Sequence, residues 1–237
     1  TIMNRLLQKA LAAIAALSVA GGISLAQETP EKLAQKTPDK FTQKNPEKQV
    51  YMAANAHFDT QWRWNVRQSI GEFLPNTLYQ NFALMEQYPD YKFSFEGAVK
   101  HYWTKEYYPH LYSTLVKYVK EGRWYPAGAS WDANDFNVPS AESNFKNILL
   151  AEEFYKAEFG VKSYDIMLPD CFGFGYALPS IASHCGVFAF HTQKLKWRNN
   201  PFYEGGKKWP FEFGIWEGVD GSRILMAPDG SSYGWNP

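Results

Sequence analysis

The sequence predicts an α/β fold made of parallel βα units. Three observations lead there. Short apolar or alternating segments recur from residue 50 to residue 226. Segments with helical apolar spacing separate them. The most chemically pointed polar residues, His57 and Asp170, follow predicted strands directly. Strands alternating with helices favour parallel pairing, and in barrels and open α/β sheets alike functional sites form at the carboxyl ends of the strands.

Each element has its own signal. A buried strand is predicted over 50–56, an apolar run ending at His57. Leu74, Leu78, Phe82 and Met85 share one helical face, with Pro75 in a first turn where its missing N–H matters least. Tyr91, Phe93 and Phe95 alternate as in a strand. Leu111, Leu115 and Tyr118 return to helical spacing, ended by Gly122, and a strand over 123–127 follows. Ser140 is the predicted N-cap of a helix carrying Phe145, Ile148, Leu149, Tyr155 and Phe159 and stopped at Gly160. Strands are then predicted over 164–168, 187–192, 211–216 and 223–226, with a short helix over 178–185. A turn at Val219-Asp220-Gly221-Ser222 leads into the last strand.

The residues before 50 read differently. Asn4, Arg5 and Lys9 make a weakly positive start, 10–20 is apolar, and Ser24-Leu25-Ala26 supplies small residues for a peptidase. This predicts a signal peptide over 1–26 and an exported protein, periplasmic or extracellular. The apolar run is too short for a comfortable membrane span. Residues 27–49 repeat Thr-Pro-Glu-Lys, Thr-Pro-Asp-Lys and Asn-Pro-Glu-Lys every eight residues and are predicted to be a low-complexity linker. The folded part is therefore expected over 50–237.

Composition excludes some functions. Lys+Arg and Asp+Glu are equal at 24 each, with no basic stripe, so nucleic acid is not an expected partner. Cys171 and Cys185 are the only cysteines, and two buried free thiols are expected rather than a disulfide scaffold.

Three segments carry chemistry. In His57-Phe58-Asp59, residues i and i+2 of an extended segment point the same way, so an imidazole and a carboxylate can grip one divalent ion. A lone His-x-Asp is more often a surface pair or a cap. Asp170 lies in Leu168-Pro169-Asp170-Cys171-Phe172-Gly173-Phe174-Gly175, where the glycines permit a tight turn and close approach of a ligand. Its carboxylate fits a metal ligand, a nucleophile or a helix cap. The segment 128–142 concentrates acids, amides and Trp131, a set suited to sugar hydroxyls, which both donate and accept. It also fits a polar loop leading into a capped helix.

Together these segments resemble glycoside hydrolase family 38, the retaining α-mannosidases, especially bacterial members. The metal motif appears as Ala56-His57-Phe58-Asp59-Thr60-Gln61-Trp62, the nucleophile motif over 168–173 and the loop motif over 131–143. The segments 186–197 and 216–222 match a following strand and a hairpin. Five motifs in the right order are far more specific than any one alone.

The resemblance implies a distorted, seven-stranded, parallel β/α barrel-like catalytic domain, present here as its N-terminal part. It implies hydrolysis of terminal α-D-mannosyl residues from oligosaccharides or glycans by a zinc-assisted double displacement. By that likeness His57, Asp59 and Asp170 are three of four Zn2+ ligands, and Asp170 is also the catalytic nucleophile. Trp62 and Phe172 are aromatic walls around the sugar. Lys194 falls where some members carry an arginine near the nucleophile, and Asp135 is a hydroxyl-binding residue. In relatives the acid/base aspartate and a fourth ligand, a histidine, lie downstream of the matched segments, so the chain is expected to be a fragment or the product of a broken gene, inactive alone.

Two other readings compete. A polysaccharide deacetylase also uses Asp and His, but with a His-x-x-x-His pair that His57, His101, His110, His184 and His191 do not form. A non-catalytic mannose-binding fragment would keep the pocket without turnover.

Overall fold

The computed structural model describes residues 54–196 and 213–228. The expected signal peptide, the linker, the first residues of the strand over 50–56, Phe211 and Trp197 lie outside the described residues. No helix among the described residues is long and apolar enough to cross a membrane.

Strand β1 (Ala54–Ala56) precedes a helical turn, Val66–Gln68, and a π-helical turn, Ser69–Phe73, which run into α1 (Leu74–Gln87). Asn65 and Gln68 form a reciprocal capping box at this entry. The predicted stripe holds: Leu74, Leu78, Phe82 and Met85 are all buried, with Pro75 at the start. The two turns before α1 carry no apolar periodicity and were not anticipated.

Strand β2 (Phe93–Glu96) follows, then α2 (Ala98–Tyr107), α3 (Pro109–Lys120) and β3 (Trp124–Ala127). Tyr91 lies before β2, its hydroxyl donating to Asn81 Oδ1 at 2.7 Å. Helix α2 was also not anticipated, for a physical reason: its buried residues include Lys100, His101 and Thr104, so an apolar pattern is silent there. Helix α4 (Ala141–Phe159) is capped by Ser140, whose side chain accepts from Ser143 N–H, and ends at Gly160. Its buried stripe is Asn144, Ile148, Ala151, Tyr155 and Phe159, whereas Leu149 lies about 100° round from Ile148 and is exposed. Strand β4 (Asp165–Met167), α5 (Leu178–His184), β5 (Ala189–Thr192), a 3-10 turn (Lys194–Lys196), β6 (Gly214–Glu217) and β7 (Arg223–Pro228) complete the order.

The strands form two sheets, β1-β2-β3 and β4-β5-β7-β6. The first is parallel throughout, as are β4-β5 and β5-β7. Strand β6 pairs antiparallel with β7, as the hairpin expected at 216–222 requires, so the second sheet is parallel except at this edge. Its short tight turn leaves no room for the crossover a parallel pair needs. The described residues do not form one closed seven-stranded barrel. The sheets meet where Ala129 N–H donates to Asp165 O at 2.6 Å.

Each sheet has its own core. Phe93, Phe95 and Trp124 pack with Phe82, Leu115 and Tyr155 beneath the first. Ile166, Phe190, Leu178, Ile224 and Met226 pack beneath the second. Burying each large apolar side chain contributes about 1.5–3 kcal/mol, which stiffens the strands whose ends carry the polar residues.

Candidate metal and catalytic site

Three strand ends converge. His57 and Asp59 follow β1 directly, Glu96 is the last residue of β2, and Asp170 lies three residues beyond β4. The β1-β2 register pairs Ala56 with Phe95, which brings His57 level with Glu96. Asp170 does not cap a helix: the next one starts at Leu178 behind Ala177.

One ligand atom from each of His57, Asp59 and Asp170 lies within 4.8 Å of the other two. His57 Nε2 faces Asp59 Oδ1 at 3.5 Å and Asp170 Oδ2 at 3.7 Å. Its Nδ1–H donates to Glu96 Oε1 at 2.6 Å. One imidazole nitrogen and two carboxylates are the donors a zinc site uses, so the chemistry of this set fits a borderline divalent cation. Burial alone pulls the His57 imidazole down, but its hydrogen bond to Glu96 and the charges of Glu96 and Asp59 outweigh burial and hold it above the usual histidine value.

Lys194, in the turn after β5, forms an ion pair with Asp170 Oδ1. Its ammonium also lies 4.5 Å from the centroid of the Phe172 ring, a cation–π contact. Asp170, Phe172 and Lys194 are thereby one cluster, and the Phe172 ring is left 65% exposed. Cys171, between them, is not fully buried as expected but half-buried and free. Burial, with four neighbouring carboxylates, pushes its thiol up to about 12, so it is no nucleophile at neutral pH.

The loop after β3 is pinned mainly to helix α4. Asn147 Nδ2 donates to Asp132 O and Asn134 Oδ1, and Asn134 Nδ2 donates to Asn144 Oδ1. Asn134, one of the two amides of the segment 128–142, therefore braces the loop. Asp135 Oδ1 accepts from Asn137 N–H at 2.8 Å. Both side chains lean on Gly173, where an added Cβ would sit 2.8 Å from Asp135 Oδ1 and closer still to Asn137 Nδ2. This close packing ties Asp135 to the Asp170 turn. Trp62 sits on the His57 loop, edge-on to Trp64 at 5.7 Å, with Arg63 over its ring and 65% exposed.

Glu96 and Lys100 of this region escaped sequence reasoning, whereas Thr60 and Asp132 stood in their motifs without a role of their own. Thr60 Oγ1 donates to Asp132 Oδ2 at 2.7 Å, which links the His57 loop to the loop after β3. Burial pushes the Asp132 carboxyl up, and the Thr60 hydrogen bond opposes it. Glu96 had a usable signal, since it ends a predicted strand just as His57 and Asp170 follow theirs. Lys100 had none, because its partner is set by the turn at Gly97.

Comparison with known proteins agrees with this architecture. The family described as "Glycosyl hydrolases family 38 N-terminal domain" matches residues 47–234. Alpha-mannosidase G of Dictyostelium discoideum is 36% identical over 177 residues, 75% of this chain and 16% of that protein. Human alpha-mannosidase 2C1 is 34% identical over 187 residues, 78% of this chain and 17% of that protein. The chain thus spans about a sixth of the length of these relatives. An alpha-mannosidase from Enterococcus faecalis V583 superposes with a TM-score of 0.61 at 18% identity, over 75% of this chain and 20% of that one. A 4-alpha-glucanotransferase from Thermococcus litoralis superposes at 0.56 with 16% identity, over 74% of this chain and 26% of that one, so fold alone does not choose the chemistry. The family model covers most of the chain, and two relatives above 30% identity agree with it: this chain belongs to glycosyl hydrolase family 38.

Proposed function

We propose that the chain is part of an enzyme that hydrolyses terminal α-D-mannosyl residues of oligosaccharides or glycans with retention of configuration. Asp170 is the nucleophile, and His57, Asp59 and Asp170 hold a zinc ion. The observation that carries this reading is the convergence of those three ligand atoms within 4.8 Å, at strand ends and beside Lys194. Family membership supports the glycosidase class, and the names of the relatives support the mannoside. In this reading the two sheets are arcs of the family's distorted barrel, which the β3-β4 junction supports.

A cation held by His57, Asp59 and Asp170 would supply a Lewis acid beside the sugar hydroxyls, a means of favouring mannose over glucose. Asp170 attacks the anomeric carbon as the bond to the leaving oxygen breaks, giving a glycosyl-enzyme ester that water then opens. A second carboxyl group, roughly 5 Å away in retaining enzymes, protonates the leaving oxygen. The resemblance puts that residue downstream of the matched segments. Lys194 holds the Asp170 side chain in place, and Phe172 and Trp62 offer apolar faces to the ring. Asp135 accepts from a sugar hydroxyl. Export through the signal peptide over 1–26 belongs to the same reading.

The test is turnover of an aryl α-mannoside by the complete gene product, with zinc bound and after chelation. The expected result is activity lost with the metal and restored by zinc. Full activity in a metal-free preparation, or none on any mannoside, overturns the reading.

A further inference from the structure

We propose that Glu96 and Lys100 are positioning residues of the metal site: Glu96 fixes the His57 tautomer that presents Nε2 to the cation, and Lys100 holds the Glu96 side chain in place. This rests on the zinc reading above and deepens it.

The geometry is a buried relay. Lys100 Nζ lies 3.5 Å from Glu96 Oε1, the same oxygen that accepts from His57 Nδ1–H at 2.6 Å. The Lys100, Glu96 and His57 side chains are 1%, 5% and 12% exposed. The lysine stem lies among aromatic rings, its ammonium 5.0 Å from the Phe58 centroid and 5.5 Å from that of Phe95.

The backbone is arranged for this contact. Gly97, at φ +82°, turns the chain from β2 straight into α2, so the last strand residue and the first helical turn face each other. A Cβ at Gly97 would meet Lys100 Nζ at 3.4 Å. The first N–H groups of α2 are satisfied by the next loop, Ala98 to Ser130 O and Val99 to Trp131 O.

A buried lysine–glutamate pair is a poor stabiliser compared with apolar residues of similar volume. What it does supply is a fixed anion behind an imidazole. A carboxylate can only accept, so the His57 proton stays on Nδ1 and the Nε2 lone pair points at Asp59 and Asp170. Carboxylates behind metal-binding histidines act in this way, and their loss typically weakens metal binding by about 10–100-fold.

The test is zinc affinity, measured by competition with a chromophoric chelator on metal-stripped complete protein. Glu96→Gln should weaken zinc at least tenfold, while the metal-free melting temperature stays within a few degrees of wild type. Lys100→Met should weaken it in the same direction. Because Lys100 acts through Glu96, the double variant should bind zinc about as well as Glu96→Gln alone, a non-additivity that general loss of packing would not produce. Glu96→Asp keeps the charge but withdraws it from Nδ1, and it should show the same loss should Glu96→Gln fail to fold. Wild-type affinity in Glu96→Gln or Glu96→Asp, or full additivity in the double variant, overturns the proposal and leaves the zinc reading standing. A wild type that binds no zinc overturns both.

Discussion

Acid should loosen the helix that carries Lys100, and the size of the effect can be worked out. His101 is fully buried on α2 among Phe95, Tyr155 and Phe159. Its Nδ1–H donates to Gly97 O at 3.1 Å, and Nε2 accepts from Trp124 Nε1–H at 3.1 Å. Protonation would destroy that acceptor inside an aromatic cage. Burial accordingly pulls its pKa from 6.5 down to about 4. The unfolded chain takes up this proton below about pH 6.5, the folded chain only near 4, so stability falls as pH drops through that window. The full difference, about 2.5 pKa units at 1.36 kcal/mol each, is roughly 3 kcal/mol, of which about 2 kcal/mol is lost between pH 7.5 and pH 5. His101→Gln keeps an oxygen to accept from Trp124 and has nothing to protonate. Urea unfolding of both proteins at pH 7.5, 6, 5 and 4.5 should show wild type losing about 2 kcal/mol more than the variant by pH 5. Packing loss in the variant lowers its whole curve and leaves the slope unaffected. Parallel pH profiles for the two proteins would refute the reasoning.

Glu152 should give the opposite slope: burial, only partly offset by its hydrogen bond from Ser163 N–H, lifts it to about 7. The folded state holds that proton up to a higher pH than the unfolded one, so its stabilisation is complete below about 4.5 and lost as pH rises through 7. Glu152→Gln should therefore raise the melting temperature more at pH 8 than at pH 5, and an equal shift at both argues against it. Asp170→Ala should stay inactive on dinitrophenyl α-mannoside even with zinc bound, because a good leaving group replaces a general acid and not a nucleophile. A fluorinated mannosyl reagent should label Asp170 in wild type, and peptide mapping that finds the label on another acid defeats the assignment. Gly173→Ala should push Asn137 and Asp135 off the Asp170 turn. Its kcat/KM should fall about tenfold, about 1.4 kcal/mol of transition-state stabilisation, with little change in melting temperature. Unchanged kinetics would show that this packing is incidental.

Wherever burial and period agreed, the local elements were legible in the linear chain. The stripe from Leu74 to Met85 is the apolar face of α1, and Ser140 and Gly160 bound α4 because capping is a local backbone matter. Helix α2 was not legible, since its inward face is Lys100, His101 and Thr104. Polar residues read as solvent-facing until their partners are known, and here the partners are Glu96, Trp124 and the Gly97 carbonyl.

The site divides the same way. That His57, Asp59 and Asp170 belong together was implied by the family resemblance their motifs carry, because local spacing alone leaves a surface pair and a cap equally open. Asp170 as a cap was excluded only by the fold, which starts the next helix at Leu178. The tertiary structure alone decided that Lys194, which the resemblance put only near the nucleophile, pairs with Asp170, that Asp135 rests on Gly173, and that Glu96 stands behind His57. Those contacts join residues from 24 to 39 positions apart, through parallel register and crossover packing that no short window of sequence encodes. A side chain's type fixes which chemistry it can do, but its partner depends on which strand lies beside it, and that is settled only when the sheets form.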